Sequence, residues 1–168
     1  DDQRIDEADL RGLVRQAFRG ARGNDILFYF SGHGMVSDEG GYLVTQDARM
    51  DDHGYPMFEL LHVANQSGAN SVLIFLDCCH SGSIGTTGPQ GYSQVTLAEG
   101  VTILAGSTAE QVSGEAMTQS VFTGLVLDAL GGGAADIRGL VSAASVYAYV
   151  EQALGAWQQR PMYKSHAK

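Results

Sequence analysis

Apolar residues fall into two kinds of run along this chain. Leu10, Leu13, Val14, Ala17 and Phe18 recur at the spacing of one helical face. That spacing predicts a helix over 6–19, with Asp6 as N-cap and Arg19 and Gly20 suiting its C-terminal end. "FELLHVANQ" (58–66) predicts a short helix ended at Gly68, and "SVFTGLVLDAL" (120–130) one capped by Ser120 and stopped by three glycines. A further helix covers 142–154, with Val146, Tyr147, Val150 and Leu154 turned inward. "DILFYF" (25–30), "SVLIFLD" (71–77) and "GVTILAG" (100–106) are instead near-continuous apolar runs, the signature of strands buried on both faces. "GGYLVT" (40–45) reads as a shorter strand, and "RPMYK" (160–164) as an edge strand, where Pro161 is tolerated.

Buried strands alternating with helices imply an α/β sheet with helices on both faces. The chain shows no repeat, low-complexity tract or interdomain linker, so it reads as one domain. Phe28, Phe30, Phe75, Phe122 and Tyr147 are expected in the core. The Gly/Ser/Thr-rich stretches at 81–94 and 106–120 follow strands, on the side where open α/β sheets keep their sites.

At 168 residues the chain can bury a substantial core without staples. Its net charge of −9 argues against direct nucleic-acid binding, which needs a basic face, and is compatible with attraction of a basic peptide. No apolar run approaches the roughly 20 residues of a membrane span, and no membrane contact is expected. Two adjacent cysteines cannot build a disulfide framework, so a reducing compartment, the cytoplasm, is the expected location.

Two strands stop on reactive side chains. "DILFYF" runs into "SGHG", placing His33 beyond its end, and "SVLIFL" runs into "DCCHSG", placing Asp77, Cys78, Cys79 and His80 beyond the other. If these strands are parallel neighbours, an imidazole and a sulfur 46 positions later face each other across one rim. A thiol with a free pKa of about 8.5 is only slightly ionised at neutral pH, and a nearby imidazole can take its proton and return it to a leaving amine. Gly34 after the histidine would let its N–H approach a tetrahedral oxyanion, with the N–H of Cys79 as the second donor. Period-2 alternation puts Asp77 and Cys79 on one side and Cys78 on the other, so Cys79 is favoured as the nucleophile and Cys78 as packing.

Rival readings share these residues. Cys78, Cys79, His80 and His33 are all zinc ligand types, but adjacent cysteines point apart on a strand and lack the usual spacer. A redox pair of Cys78 and Cys79 would close a strained ring, and a catalytically silent interaction module would not need both the thiol and the imidazole. Asp47, Asp51 and Asp52 form an acidic loop that offers few of the six to eight oxygens calcium takes. Glu110 and Glu115, after the third strand, are polar loop residues within reach of a specificity pocket. His53, His62 and His166 read as surface residues or helix partners.

"FYFSGHG" followed by "LIFLDCCHSG" resembles the caspase-like cysteine peptidases, specifically the metacaspase and bacterial orthocaspase branch. The similarity continues through "YLVTQDAR", "VTILAGSTAEQ" and "VFTGLVLDAL" and covers most of the chain. The resemblance implies the caspase–hemoglobinase fold, a mostly parallel α/β sheet, with His33 as base and Cys79 as nucleophile of a thioester-forming endopeptidase. It also implies that Asp77 and Ser31 bind a basic P1 side chain, and a carboxylate on the nucleophile's side can accept a forked contact from Arg. Cleavage after Arg, extending to Lys, is the expectation; the animal caspase signature around the cysteine is absent, which disfavours aspartate. Neither metal nor cofactor is needed for this chemistry, although metacaspases often require calcium at acidic loops. Members of the family usually begin with a strand and helix before the segment matching 6–19, and this chain starts at "DDQRIDEADL". Residues 1–168 are therefore expected to form a caspase-like domain lacking its first strand. That strand would come from a separate fragment or from a larger parent chain with a regulatory domain. Self-cleavage after Arg49 or Arg138, both in expected loops, is compatible with this.

Overall fold

The computed structural model describes residues 4–78, 80, 84, 86–87, 93–94, 96–106, 120–155 and 161–166. The first helix, α1 (Glu7–Gly20), starts where expected, with the Asp6 carboxylate accepting the Asp9 N–H. Its apolar face puts Val14 and Phe18 in the core. Three parallel strands follow the three apolar runs: β1 (Asp25–Ser31), β5 (Ser71–Asp77) and β8 (Val101–Ala105), and the antiparallel β9 (Met162–His166) completes a sheet of order β1-β5-β8-β9. Among the described residues four α-helices cover it: α1 and α2 (Met57–Gln66) on one face, α3 (Val121–Asp128) and α4 (Ala143–Gly155) on the other.

Strand alternation divides the core between the two faces. Val72, Ile74, Leu76 and Cys78 from β5 and its end pack with Val14, Phe18, Leu60 and Leu61. Phe75 and Leu104 pack with Phe122, Val126, Val146, Val150 and Leu154. A central strand with helices above and below is apolar on both faces, and β5 is so from Val72 to Leu76.

The β1 run corrects the expectation of a strand buried on both faces. Its exposure alternates: Ile26, Phe28 and Phe30 pack against the α1/α2 core, while Leu27 is 56% and Tyr29 45% exposed. Among the described residues β1 has one ladder partner, β5, and lies at the sheet edge. A second sheet was not expected. The glycine-rich segment after His33 forms β2 (Gly34–Ser37), which pairs antiparallel with β3 (Gly40–Leu43). β3 also pairs with β4 (Tyr55–Pro56) and with β6 (Thr86–Thr87), which pairs with β7 (Ser93–Gln94). Gly54 holds the β4 entry with φ 99°, and a Cβ there would stand 2.5 Å from the Leu43 carbonyl oxygen. After α3, Ala129–Gly133 form a π-helical turn in which Gly132 leaves helical geometry with φ 119°, so the helix ends within the three glycines as expected.

Two polar devices lock α1. Glu59 on α2 is bonded by both Arg11 and Arg15, Arg11 also pairs with Glu7, and the Arg11 guanidinium lies 5.6 Å from the Tyr55 ring centre. Asp47 accepts the Glu7 N–H at 3.0 Å, capping the helix from a distant loop, which gives that carboxylate a structural task. No described helix is long and apolar enough to cross a membrane.

Candidate active site at the β1 and β5 ends

The two motif-bearing strands are parallel neighbours, with Ser31 and Asp77 as Cα partners at their last position. Gly32 N–H donates to the Asp77 carbonyl at 3.1 Å, so the ladder runs one step beyond that pair. His33 follows on one side and Cys78 on the other. Cys79 lies outside the described residues. The residues that bracket it are described: Cys78 is 2% exposed and belongs to the α1/α2 core, whereas His80 is exposed with φ 57°. Cys78 thus packs beneath the sheet as alternation requires. His80 has a backbone conformation uncommon for a residue with a Cβ, and it turns the chain sharply just past the strand.

His33 is exposed, and its backbone is fixed by its carbonyl accepting the Val44 N–H at 2.9 Å. That bond makes Gly34 and Leu43 a non-hydrogen-bonded pair of the antiparallel ladder, so the Gly34 N–H points away from β3. The glycine expected as an oxyanion donor therefore begins a strand with its donor directed outward.

Asp77 is 4% exposed, a buried carboxylate at the sheet end. Ion pairs among the described residues join Arg11 to Glu7 and Glu59, Arg15 to Glu59, and Arg138 to Asp136; none includes Asp77. A buried carboxylate needs hydrogen-bond donors in place of water, so something must supply them. Part of the answer is α3. Thr123, in the first turn of that helix, donates its hydroxyl to Asp77 Oδ2, and the Tyr29 hydroxyl lies 2.7 Å from Thr123 Oγ1. The N-terminal turn of a helix carries partial positive charge, which favours an anion beside it. Ser120 caps that turn, its Oγ accepting the Thr123 N–H. Ser31, exposed on β1, shares the level of Asp77 in the ladder.

The sequence did not single out Tyr29 or Thr123. Both left a trace: Tyr29 has the same strand parity as Ser31, and Thr123 is a polar residue in the first turn of an otherwise apolar helix.

The remaining candidates sit elsewhere. His62 is exposed, His166 Nδ1 lies 2.9 Å from the Leu97 carbonyl oxygen, and His53 packs edge-on to Tyr42 with centroids 5.2 Å apart. Asp51 and Asp52 are exposed, and Arg49 and Asp52 exchange backbone hydrogen bonds. Among the described residues no group of three or more His, Cys, Asp or Glu side chains is placed to hold a metal ion. Glu110 and Glu115 lie outside the described residues.

A family model described as "Caspase domain" (Peptidase C14) matches residues 2–168. Comparison with curated proteins found no match.

Proposed function

Because the chain belongs to the caspase-domain family of cysteine peptidases, we propose that it is an endopeptidase of the metacaspase and orthocaspase type, cleaving after Arg and less readily after Lys. Cys79 gives up its thiol proton to His33 and attacks the scissile carbonyl carbon. The N–H groups of Gly34 and Cys79 bear the charge on the carbonyl oxygen. As the tetrahedral species collapses, the C–N bond breaks, His33 returns the proton to the departing amine, and a thioester to Cys79 remains. Water, losing a proton to His33, then hydrolyses the thioester and restores the thiol. None of these steps needs a metal or cofactor; calcium, if it acts, does so outside the bond-breaking chemistry.

The observation that carries this reading is the Ser31–Asp77 ladder pair. It brings the two motif-bearing chain segments to one level of the sheet and sets two substrate-binding candidates side by side. An arginine guanidinium would supply the positive charge that no described residue offers Asp77. A cytoplasmic setting would keep the thiol reduced. A further strand, from a separate fragment or a parent chain, would pair along β1, which has β5 as its one ladder partner among the described residues.

Cleavage of a peptide library by the full chain, with and without a calcium chelator, tests the assignment. Cuts after Arg that vanish in Cys79→Ala are expected. Persistence of cleavage in that variant, or a predominance of aspartate at the cut position, would overturn it.

A further inference from the structure

We propose that Thr123, backed by Tyr29, is a positioning residue that sets the plane of the Asp77 carboxylate and so makes the enzyme prefer Arg over Lys. The proposal rests on the reading of Asp77 as the carboxylate that meets the basic P1 side chain.

Hydrogen-bond bookkeeping fixes the direction of the chain of groups. An ionised carboxylate only accepts, so the single Thr123 hydroxyl proton goes to Asp77 Oδ2. Thr123 Oγ1 is left as an acceptor, and the Tyr29 hydroxyl, 2.7 Å away, must donate to it. Three groups on β1, α3 and β5 thus form one directed relay, Tyr29 to Thr123 to Asp77. The relay is anchored: Ser120 holds the Thr123 backbone, and the Asp77 backbone is held by Gly32.

The consequence follows from the torsion that this relay restrains. The terminal torsion of Asp is broad, so the orientation of the carboxylate plane depends on its hydrogen bonds. A guanidinium is a planar fork and gains its two parallel bonds only when the carboxylate lies in its plane. An ammonium is a compact charge with rotatable donors and has no such requirement. Loss of the tether therefore costs an Arg substrate more than a Lys substrate. It acts on binding that ground and transition states share, so KM rises while kcat is retained.

The test compares peptides differing only in P1 Arg or Lys, using the full chain and its Thr123→Val, Thr123→Ser and Tyr29→Phe variants. Thr123→Val should lower the Arg-to-Lys ratio of kcat/KM by about tenfold, the scale of one charge-assisted hydrogen bond. The loss should lie in KM for Arg. Thr123→Ser should restore the parent ratio, and Tyr29→Phe should lower it by a smaller factor. Alkylation of Cys79 by iodoacetamide should be equally fast in all four proteins. A parent enzyme that cuts after Arg with an unchanged ratio in Thr123→Val would overturn the positioning role. A parent that does not cut after basic residues would overturn the Asp77 reading instead. Should Thr123→Val fail to fold, Tyr29→Phe decides: a lowered ratio supports the relay and an unchanged one overturns it.

Discussion

Gly32 hands its N–H to the carbonyl of Asp77, so the two strands stay joined one residue past their last paired side chains. From that junction His33 is one residue further along one segment, and Cys79 two residues further along the other. His33→Ala should lower kcat by about 10²–10⁴, the range for losing a general base, and leave the melting temperature unchanged because the side chain is exposed. Cys78→Ala should behave in the opposite way. Its sulfur is buried in the α1/α2 core, so stability falls by about 1–2 kcal/mol while cleavage continues. Thermal melts and peptide turnover on the two variants check both.

Tyr55 should make the protein sensitive to alkali. Its hydroxyl is buried without a hydrogen-bond partner among the described residues, and burial, then the nearby Glu59 charge, push its ionisation up to about 12. A group whose folded pKa lies above its unfolded value binds its proton more tightly in the folded state. The stability it contributes is whole below about pH 10 and is lost as pH rises through about 12. Tyr55→Phe should flatten that decline in denaturant titrations at pH 9–12. At neutral pH it should be neutral, or stabilising by about 1 kcal/mol, since no bond is lost with the hydroxyl.

Gly54→Ala should destabilise the protein by at least about 2 kcal/mol. The backbone there has φ 99°, and the new methyl would meet the Leu43 carbonyl oxygen and the Thr45 N–H, both part of the folded backbone. Urea unfolding measures the loss. Gly12→Ala on α1, where a Cβ meets nothing within 4 Å, should be stabilising and serves as the contrast.

Asp136 should govern how readily the chain is cut at Arg138. Its Oδ1 accepts the N–H groups of Arg138 at 2.8 Å and Leu140 at 3.0 Å, and its Oδ2 receives the Arg138 guanidinium. These bonds hold the carboxyl below its ordinary pKa, the Leu140 and Arg138 N–H groups first. The stability that this turn contributes is therefore present above the ordinary carboxylate value of about 3.9 and is lost as pH falls through the depressed one. The amide proton shift of Leu140 should titrate with a midpoint below that value. At neutral pH, Asp136→Ala should speed tryptic cleavage after Arg138 by about tenfold through local opening.

The parallel frame was legible because its strands and helices announce themselves by period and length. β5 is apolar at both parities since it has helices on both sides, and α1 repeats on one face since it has a core on one side. Of the second sheet only β3 was legible, as the strand expected over 40–45. β4 is two residues long and contains Pro56, and β2 begins with a glycine, so neither carries a pattern long enough to show a period. The burial of β1 was overread for a related reason. Composition reports what a strand can bury, while exposure depends on which neighbours lie beside it.

At the site, His33, Asp77 and Cys78 stood out in the sequence because they interrupt or end an apolar run. Thr123 did not, because its partner is 46 positions earlier in the chain and meets it only through the α3 cap. Asp47 was read as part of an acidic loop for the same kind of reason: the Glu7 N–H it accepts belongs to a helix 40 positions earlier.

The edge position of β1 has a mechanical consequence. β1 itself has a ladder partner on one flank among the described residues, and the segment that carries the imidazole is held past its end by the Gly32 bond to Asp77 and the His33 bond to Val44. Any chain that zipped along the open flank would stiffen His33 without touching it, so assembly could act as a throttle on proton transfer. Anything that peeled β1 away would slacken the base before the core unfolded.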